Sequence, residues 1–105
     1  MTDQTERLRR MTDYSWHVLR ADSEHERALL ADDADVGRLH DELAELHLLA
    51  ADELSDAWRD FSVRARESGD DSTWRAYEAL FTALYGAEKL EKTKALIPAA
   101  LKRIT

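Results

Sequence analysis

From Arg38 to Glu67 the chain contains neither glycine nor proline, and its apolar residues recur at steps of three and four. Val36, Leu39, Leu43, Leu46, Ala50, Leu54, Ala57 and Phe61 make up this stripe. Such spacing places apolar side chains on one face of an α-helix and comes close to a heptad repeat. A single helix over 36–67 would be about 48 Å long. A compact globule of this size has a radius of gyration of only about 13 Å. One helix therefore outruns a spherical fold, and the chain is predicted to form an elongated antiparallel bundle with short loops.

Two clusters of turn residues divide the rest. Asp32-Asp33-Ala34-Asp35 supplies side chains that cap helix N-termini. Ser68-Gly69-Asp70-Asp71-Ser72 offers a helix-ending glycine followed by capping residues. The first helix is predicted over 3–31, with Leu8, Met11, Ser15, Val18, Leu19, Asp22 and Leu29 on one face. Ser23-Glu24-His25-Glu26 reads as a capping box, which predicts a kink or restart near Asp22. A third helix is predicted over 73–95, carrying Trp74, Tyr77, Phe81, Leu84, Tyr85 and Leu90. Pro98 cannot donate a backbone hydrogen bond, so a short fourth helix is placed at 97–104. The fold class is thus all-α: one elongated three-helix domain with a short fourth helix. Three rods leave a thin core, and dimerisation is the expected way to cover the remaining apolar surface.

Charge narrows the function classes. The net charge is −7, the wrong sign for binding a phosphate backbone directly. The deficit sits in residues 32–60, with two basic and ten acidic side chains. No apolar run approaches the roughly 20 residues that span a bilayer, and Met1-Thr2-Asp3-Gln4-Thr5-Glu6 lacks an apolar leader core. A cytoplasmic location is expected, with neither a membrane nor nucleic acid as direct partner. The chain has no cysteine, which removes disulfides, thiolate catalysis and Cys-ligated zinc. Arginine far outnumbers lysine and asparagine is absent, the residue choice of a GC-rich bacterial or phage genome.

Four groups of residues could carry chemistry. The first is a polar layer. In a hairpin turning near residues 32–35, facing residue numbers sum to about 65. His25 then faces His40, with Asp22 one turn away and His47 seven residues further along. Histidines and a carboxylate could hold a transition metal, but neither a Glu-x-x-His pair nor His-Glu-x-x-His is present. A buried hydrogen-bonded layer setting the helix register is the favoured reading. No metal or cofactor is expected.

The second group is an acidic ladder. Asp41, Glu45, Asp52 and Asp56 fall in one sector, flanked by Glu42, Glu53 and Asp60. Carboxylates four residues apart sit about 6 Å apart, near the phosphate spacing of a DNA strand. The ladder could act as a DNA-mimic decoy; the plain alternative is a solvated helix face. The third group is basic. Lys89, Lys92, Lys94, Lys102 and Arg103 crowd the C-terminal stretch beside Leu90, Ile97, Leu101 and Ile104. It could dock an acidic partner, though cations near a helix C-terminus are also favoured by the helix dipole. The last is Trp16, off the centre of its stripe and the expected exposed anchor of an interface.

Catalytic patterns are lacking. No serine lies in Gly-x-Ser-x-Gly. Arg10…His17 and Arg20…His25 have an Arg–His spacing found in some helical ribonucleases, but a chain this rich in arginine produces such pairs by chance. The expected function is a non-enzymatic helical protein–protein interaction module, an adaptor, assembly factor or small regulator acting as a homodimer. The alternatives are an acidic, phage-type inhibitor that occupies a nucleic-acid-processing protein, and a metal-binding bundle.

Overall fold

The computed structural model describes residues 3–68 and 72–104, with the side chains of 5–61 and 72–97. All of its regular elements are helices: α1 (Asp3–Leu30), α2 (Ala34–Glu53), α3 (Ser55–Ser68), α4 (Ser72–Tyr85) and α5 (Ala87–Ile104). The described residues measure 50 × 26 × 24 Å, the elongated shape that long antiparallel helices impose.

Helix boundaries differ from the sequence expectation at four places. The rod expected over 36–67 is interrupted at Leu54, whose backbone N–H turns back to the carbonyls of Ala51 and Asp52. The chain bends there without reversing. Arg10 on α1 still reaches Asp56 just past the break, as His17 reaches His47 before it. The second difference is at Gly86, where α4 ends and α5 begins. Its φ of 98° lies in the left-handed region, which side chains bearing a Cβ disfavour. Its N–H bonds to the Thr82 carbonyl at 2.9 Å, and its own carbonyl accepts from the N–H of Leu90 at 3.2 Å. Third, α5 runs through Pro98 with no new start there. Fourth, α1 continues through Ser23-Glu24-His25-Glu26, where a restart was expected. The turn at Asp33 is as expected: its carboxylate accepts from the Asp35 N–H at 2.7 Å and caps α2. Gly69, Asp70 and Asp71 lie outside the described residues.

The core sits at one end of the molecule. Met11, Tyr14 and Val18 of α1 meet Ala51 of α2, Ala57 and Trp58 of α3, Tyr77 and Phe81 of α4, and Leu90 and Ile97 of α5. Trp58 is fully buried. Its ring meets Phe61, Trp74 and Tyr77 edge-on at 5.0–6.0 Å between centroids, the geometry aromatic quadrupoles favour. Its Nε1–H donates to the Met11 carbonyl at 3.1 Å. The Tyr77 hydroxyl donates to Ser15 Oγ at 2.7 Å, and Ser15 in turn donates to the Met11 carbonyl. Burial pushes the Tyr77 hydroxyl pKa well up, which keeps it a neutral donor.

At the other end α1 and α2 form a two-helix arm, and among the described residues α2 packs extensively only on α1. The face of α2 turned to α1 is not the leucine stripe. It is Gly37, His40, Ala44, His47 and Ala51, itself spaced three and four apart. A Cβ on Gly37 would lie 3.3 Å from the Ala28 carbonyl oxygen, so the two helices approach closely there. The expected core residues Val36, Leu39, Leu43 and Leu46 are instead 44%, 59%, 43% and 61% exposed. On α1, Asp22 and Leu29 are exposed as well, and Leu84 of α4 likewise faces outward.

Two substitutions check this description by urea denaturation. Trp58→Ala is expected to cost about 3–5 kcal/mol through the cavity it leaves; a loss below about 1 kcal/mol would contradict its central place. Gly86→Ala meets open space, so only its backbone is strained, and a loss of about 1–2 kcal/mol is expected.

Candidate functional site: the seam and outer face of the α1–α2 arm

Facing pairs along the arm follow the antiparallel register. Gly37 lies against Ala28, His40 against Glu24, Asp41 against His25 and His47 against His17. These pairs sum to between 64 and 66 in residue number, and they fix which polar groups meet.

Glu24 is the centre of the seam. It is 2% exposed, yet it carries a carboxylate. Arg20 and Arg27 donate to Oε1 at 2.8 and 3.0 Å, and His40 Nδ1 approaches Oε2 at 2.6 Å. Arg20 and Arg27 lie one turn to either side of Glu24 on α1, within reach of the same carboxylate. The hydrogen bond from His40 holds the Glu24 carboxyl below its ordinary value, against the opposing effect of burial, with Arg27 and Arg20 adding to it.

His17 and His47 meet one layer away, with Nδ1 atoms 3.0 Å apart. Their ring centres are 5.3 Å apart, so the two nitrogens lie close to the line joining the rings. One nitrogen donates and the other accepts. A shared metal would require both lone pairs to converge on a point off that line. Trp16 closes the layer, edge-on to His17 at 5.0 Å and to His47 at 5.5 Å, and stacked on Tyr85 at 6.3 Å. Burial lowers the pKa of His17, with the charge of His47 adding and Asp13 opposing. Burial also lowers that of His47, with Arg20 adding and Glu24 opposing.

The predicted site residues are thus redistributed. His40 and His47 lie in the seam, but with Glu24 and His17 as partners. Asp22 and His25 do not join them. Asp22 is exposed, and His25 forms a solvent-facing pair with Asp41 at 3.3 Å. Asp22 points away because α1 turns Glu24 toward α2, and His25 reaches α2 only at the exposed edge of the seam, through Asp41. Trp16, expected as an exposed anchor, is only partly exposed, with the seam histidines and Tyr85 packed against it. Sequence reasoning missed Glu24 because a carboxylate beside a capping pattern reads as solvent-facing, and His17 because it sits next to Asp13 on a polar side. The residue-number sum across the hairpin allows either His25 or Glu24 opposite His40, and the rotation of α1, which the sum does not carry, selects Glu24.

The acidic ladder is only partly free. Asp41 is paired with His25, and Asp56 takes the Arg10 guanidinium at 2.6 Å. That hydrogen bond holds the Asp56 carboxyl below its ordinary value. Glu45 and Asp52 face solvent. Of the basic stretch, Lys94 pairs with Glu78 at 3.2 Å as well as with Glu91 at 3.7 Å, so α4 supplies a counter-charge there. The side chains of Leu101, Lys102, Arg103 and Ile104 lie outside the described residues. Among the described residues, no three His, Asp or Glu side chains gather to hold a metal ion, and no helix is long and apolar enough to cross a membrane.

What remains is the outer face of the arm. Leu39, Leu43 and Leu46 run in a row on α2, with Val36 before them and Leu49 beside them. At the C-terminal end of α1, Leu29 and Leu30 are 76% and 75% exposed. These are large apolar side chains left uncovered along one helix. Comparison with known proteins found no matching family model, no similar curated protein and no similar solved structure.

The seam makes a prediction about acid stability. A carboxyl held below its ordinary value stabilises the fold above the unfolded pKa, and that contribution is lost as pH falls through the folded one. Glu24→Gln is therefore expected to lower the melting temperature at neutral pH. It should also flatten the loss of stability between about pH 5 and about pH 3. A melting temperature unchanged at neutral pH would remove Glu24 from its central place.

Proposed function

We propose that this protein is a non-enzymatic interaction module that works by self-association, pairing the leucine face of α2 with the same face of a second copy. The observation that carries this reading is the exposure of Val36, Leu39, Leu43, Leu46 and Leu49 along one helix whose other face is packed on α1. Such a module would serve as an adaptor, assembly factor or small regulator.

A second copy fits this face in register and in charge. Val36, Leu39, Leu43, Leu46 and Ala50 occupy alternating core positions of a heptad. In an antiparallel two-fold pairing, Leu43 of one copy meets Leu46 of the other, Leu39 meets Ala50, and Val36 meets Glu53 at the rim. The flanking Glu42 then lies opposite Leu49, so it meets no carboxylate across the apolar row. Two arms joined in this way make a four-helix bundle, the usual resting place for a two-helix hairpin with one face uncovered. Covering the exposed part of each leucine contributes about 1 kcal/mol.

The net charge of −7 opposes self-association through long-range repulsion, so added salt is expected to strengthen the dimer. An acidic decoy held by a basic, nucleic-acid-binding partner would behave in the opposite way and weaken with salt.

Sedimentation velocity tests the reading. A species of twice the 12.1 kDa chain mass is expected at neutral pH. The double variant Leu43→Glu/Leu46→Glu is expected to weaken association by about 100-fold or more while keeping its helical circular dichroism. A wild-type chain that stays monomeric up to about 0.1 mM would overturn it.

A further inference from the structure

The seam between α1 and α2 contains a pair whose hydrogen bond depends on how many protons it holds. His17 Nδ1 and His47 Nδ1 face each other at 3.0 Å, nearly in line with their ring centres. In the neutral pair one ring carries its proton on Nδ1 and donates to the bare Nδ1 of the other. A first added proton enters at the donor's free Nε2. The Nδ1–H···Nδ1 bond survives it and becomes charge-assisted. A second added proton has to go on the accepting Nδ1. Two N–H groups then point at each other, and two positive charges share one half-buried layer.

The groups around the pair relieve that state only in part. On α1, Asp13 favours a proton on His17 and Glu24 favours one on His47, while Arg20 opposes it. Glu24 is already engaged by Arg20, Arg27 and His40. On α4, Tyr85 backs Trp16 and offers an aromatic face to the layer. The consequence reaches the whole arm, because among the described residues α2 has α1 as its only extensive neighbour.

We propose that the His17–His47 pair is an acid-operated latch: a single bridging proton holds α2 against α1, and protonation of both facing nitrogens releases α2 from the arm. Release dissolves the rigid leucine face, so acid also disperses the dimer. That last consequence rests on the self-association reading; the latch itself does not. The sign follows from burial of both rings. Neutral histidine is favoured in the folded arm, so the stabilisation is complete above the ordinary histidine value and is lost as pH falls through the lower folded values. Glu24 stays ionised over that range, because its own carboxyl is held below the usual carboxylate value.

The experiment uses the full chain, wild type and His17→Gln/His47→Gln, at about pH 7.5 and about pH 5.5. Amide hydrogen exchange over residues 37–51, corrected for the intrinsic rate, is expected to show about tenfold or greater loss of protection at the lower pH in the wild type. No such loss is expected in the variant. Equal loss in both, or loss in neither, overturns the latch. Imidazole nitrogen NMR on the wild type decides the matter even if the variant fails to fold. One ring of the pair should be protonated on Nδ1 and the other not, and finding both Nδ1 atoms bare at about pH 7.5 overturns the proposal. Sedimentation at the two pH values separates the two readings. A dimer that disperses in acid only when both histidines are present supports the latch and its consequence. A chain that is monomeric at both pH values overturns self-association, and hydrogen exchange then judges the latch alone.

Discussion

Close approach of α1 and α2 governs this structure. The helices can come together because the inward face of α2 is built from Gly37, Ala44 and Ala51, with histidines filling the wider gaps at 40 and 47. Small residues give little apolar area but allow the backbones to near each other, so that a Cβ at Gly37 would crowd the Ala28 carbonyl. Once that face is committed, the geometry of a helix turns the leucines about a third of a turn away, into solvent. Everything distinctive about the arm, its polar seam and its apolar outer face alike, follows from that choice.

The two ends of the molecule are held together by different physics. Around Trp58 the core is aromatic, and its buried polar atoms close on one another through Ser15, Tyr77 and the Met11 carbonyl. In the arm the contact between helices is polar. Glu24 is surrounded by three donors, and a buried carboxylate is tolerable only when so compensated. Such a seam gives register more than strength. It fixes which residues of α2 face α1, and thereby which residues are offered outward.

Much of the architecture was legible in the sequence. The helical class, the elongated shape and the cap at Asp33 all follow from spacing and composition, and adding residue numbers across the turn gives the register of the arm. The packed face of α2 did not follow. Two sets of positions on that helix, 36-39-43-46-50 and 37-40-44-47-51, have the same spacing of three and four. A reading weighted by hydrophobicity chooses the leucines, whereas helix proximity selects the small residues. The break at Leu54 carries no glycine or proline to announce it. Gly86 ends α4 because its φ is positive, a fact that spacing alone does not carry. Trp16 looked exposed because its own helix shows only its neighbours, and the residues that cover it, His47 and Tyr85, come from α2 and α4.

The central claim is that the leucine face of α2 pairs with its own copy in antiparallel register. The absence of native cysteine allows single spin labels to be placed cleanly through Arg38→Cys or Glu45→Cys. Both positions lie one heptad apart on the same face of the helix, so only their distance from the two-fold axis differs. Electron–electron distance measurements between copies should give a short separation at 45. At 38 the labels should be offset by about 20 Å further along the helix axis. Equal separations at the two sites, or no separation between copies at either, would contradict the account.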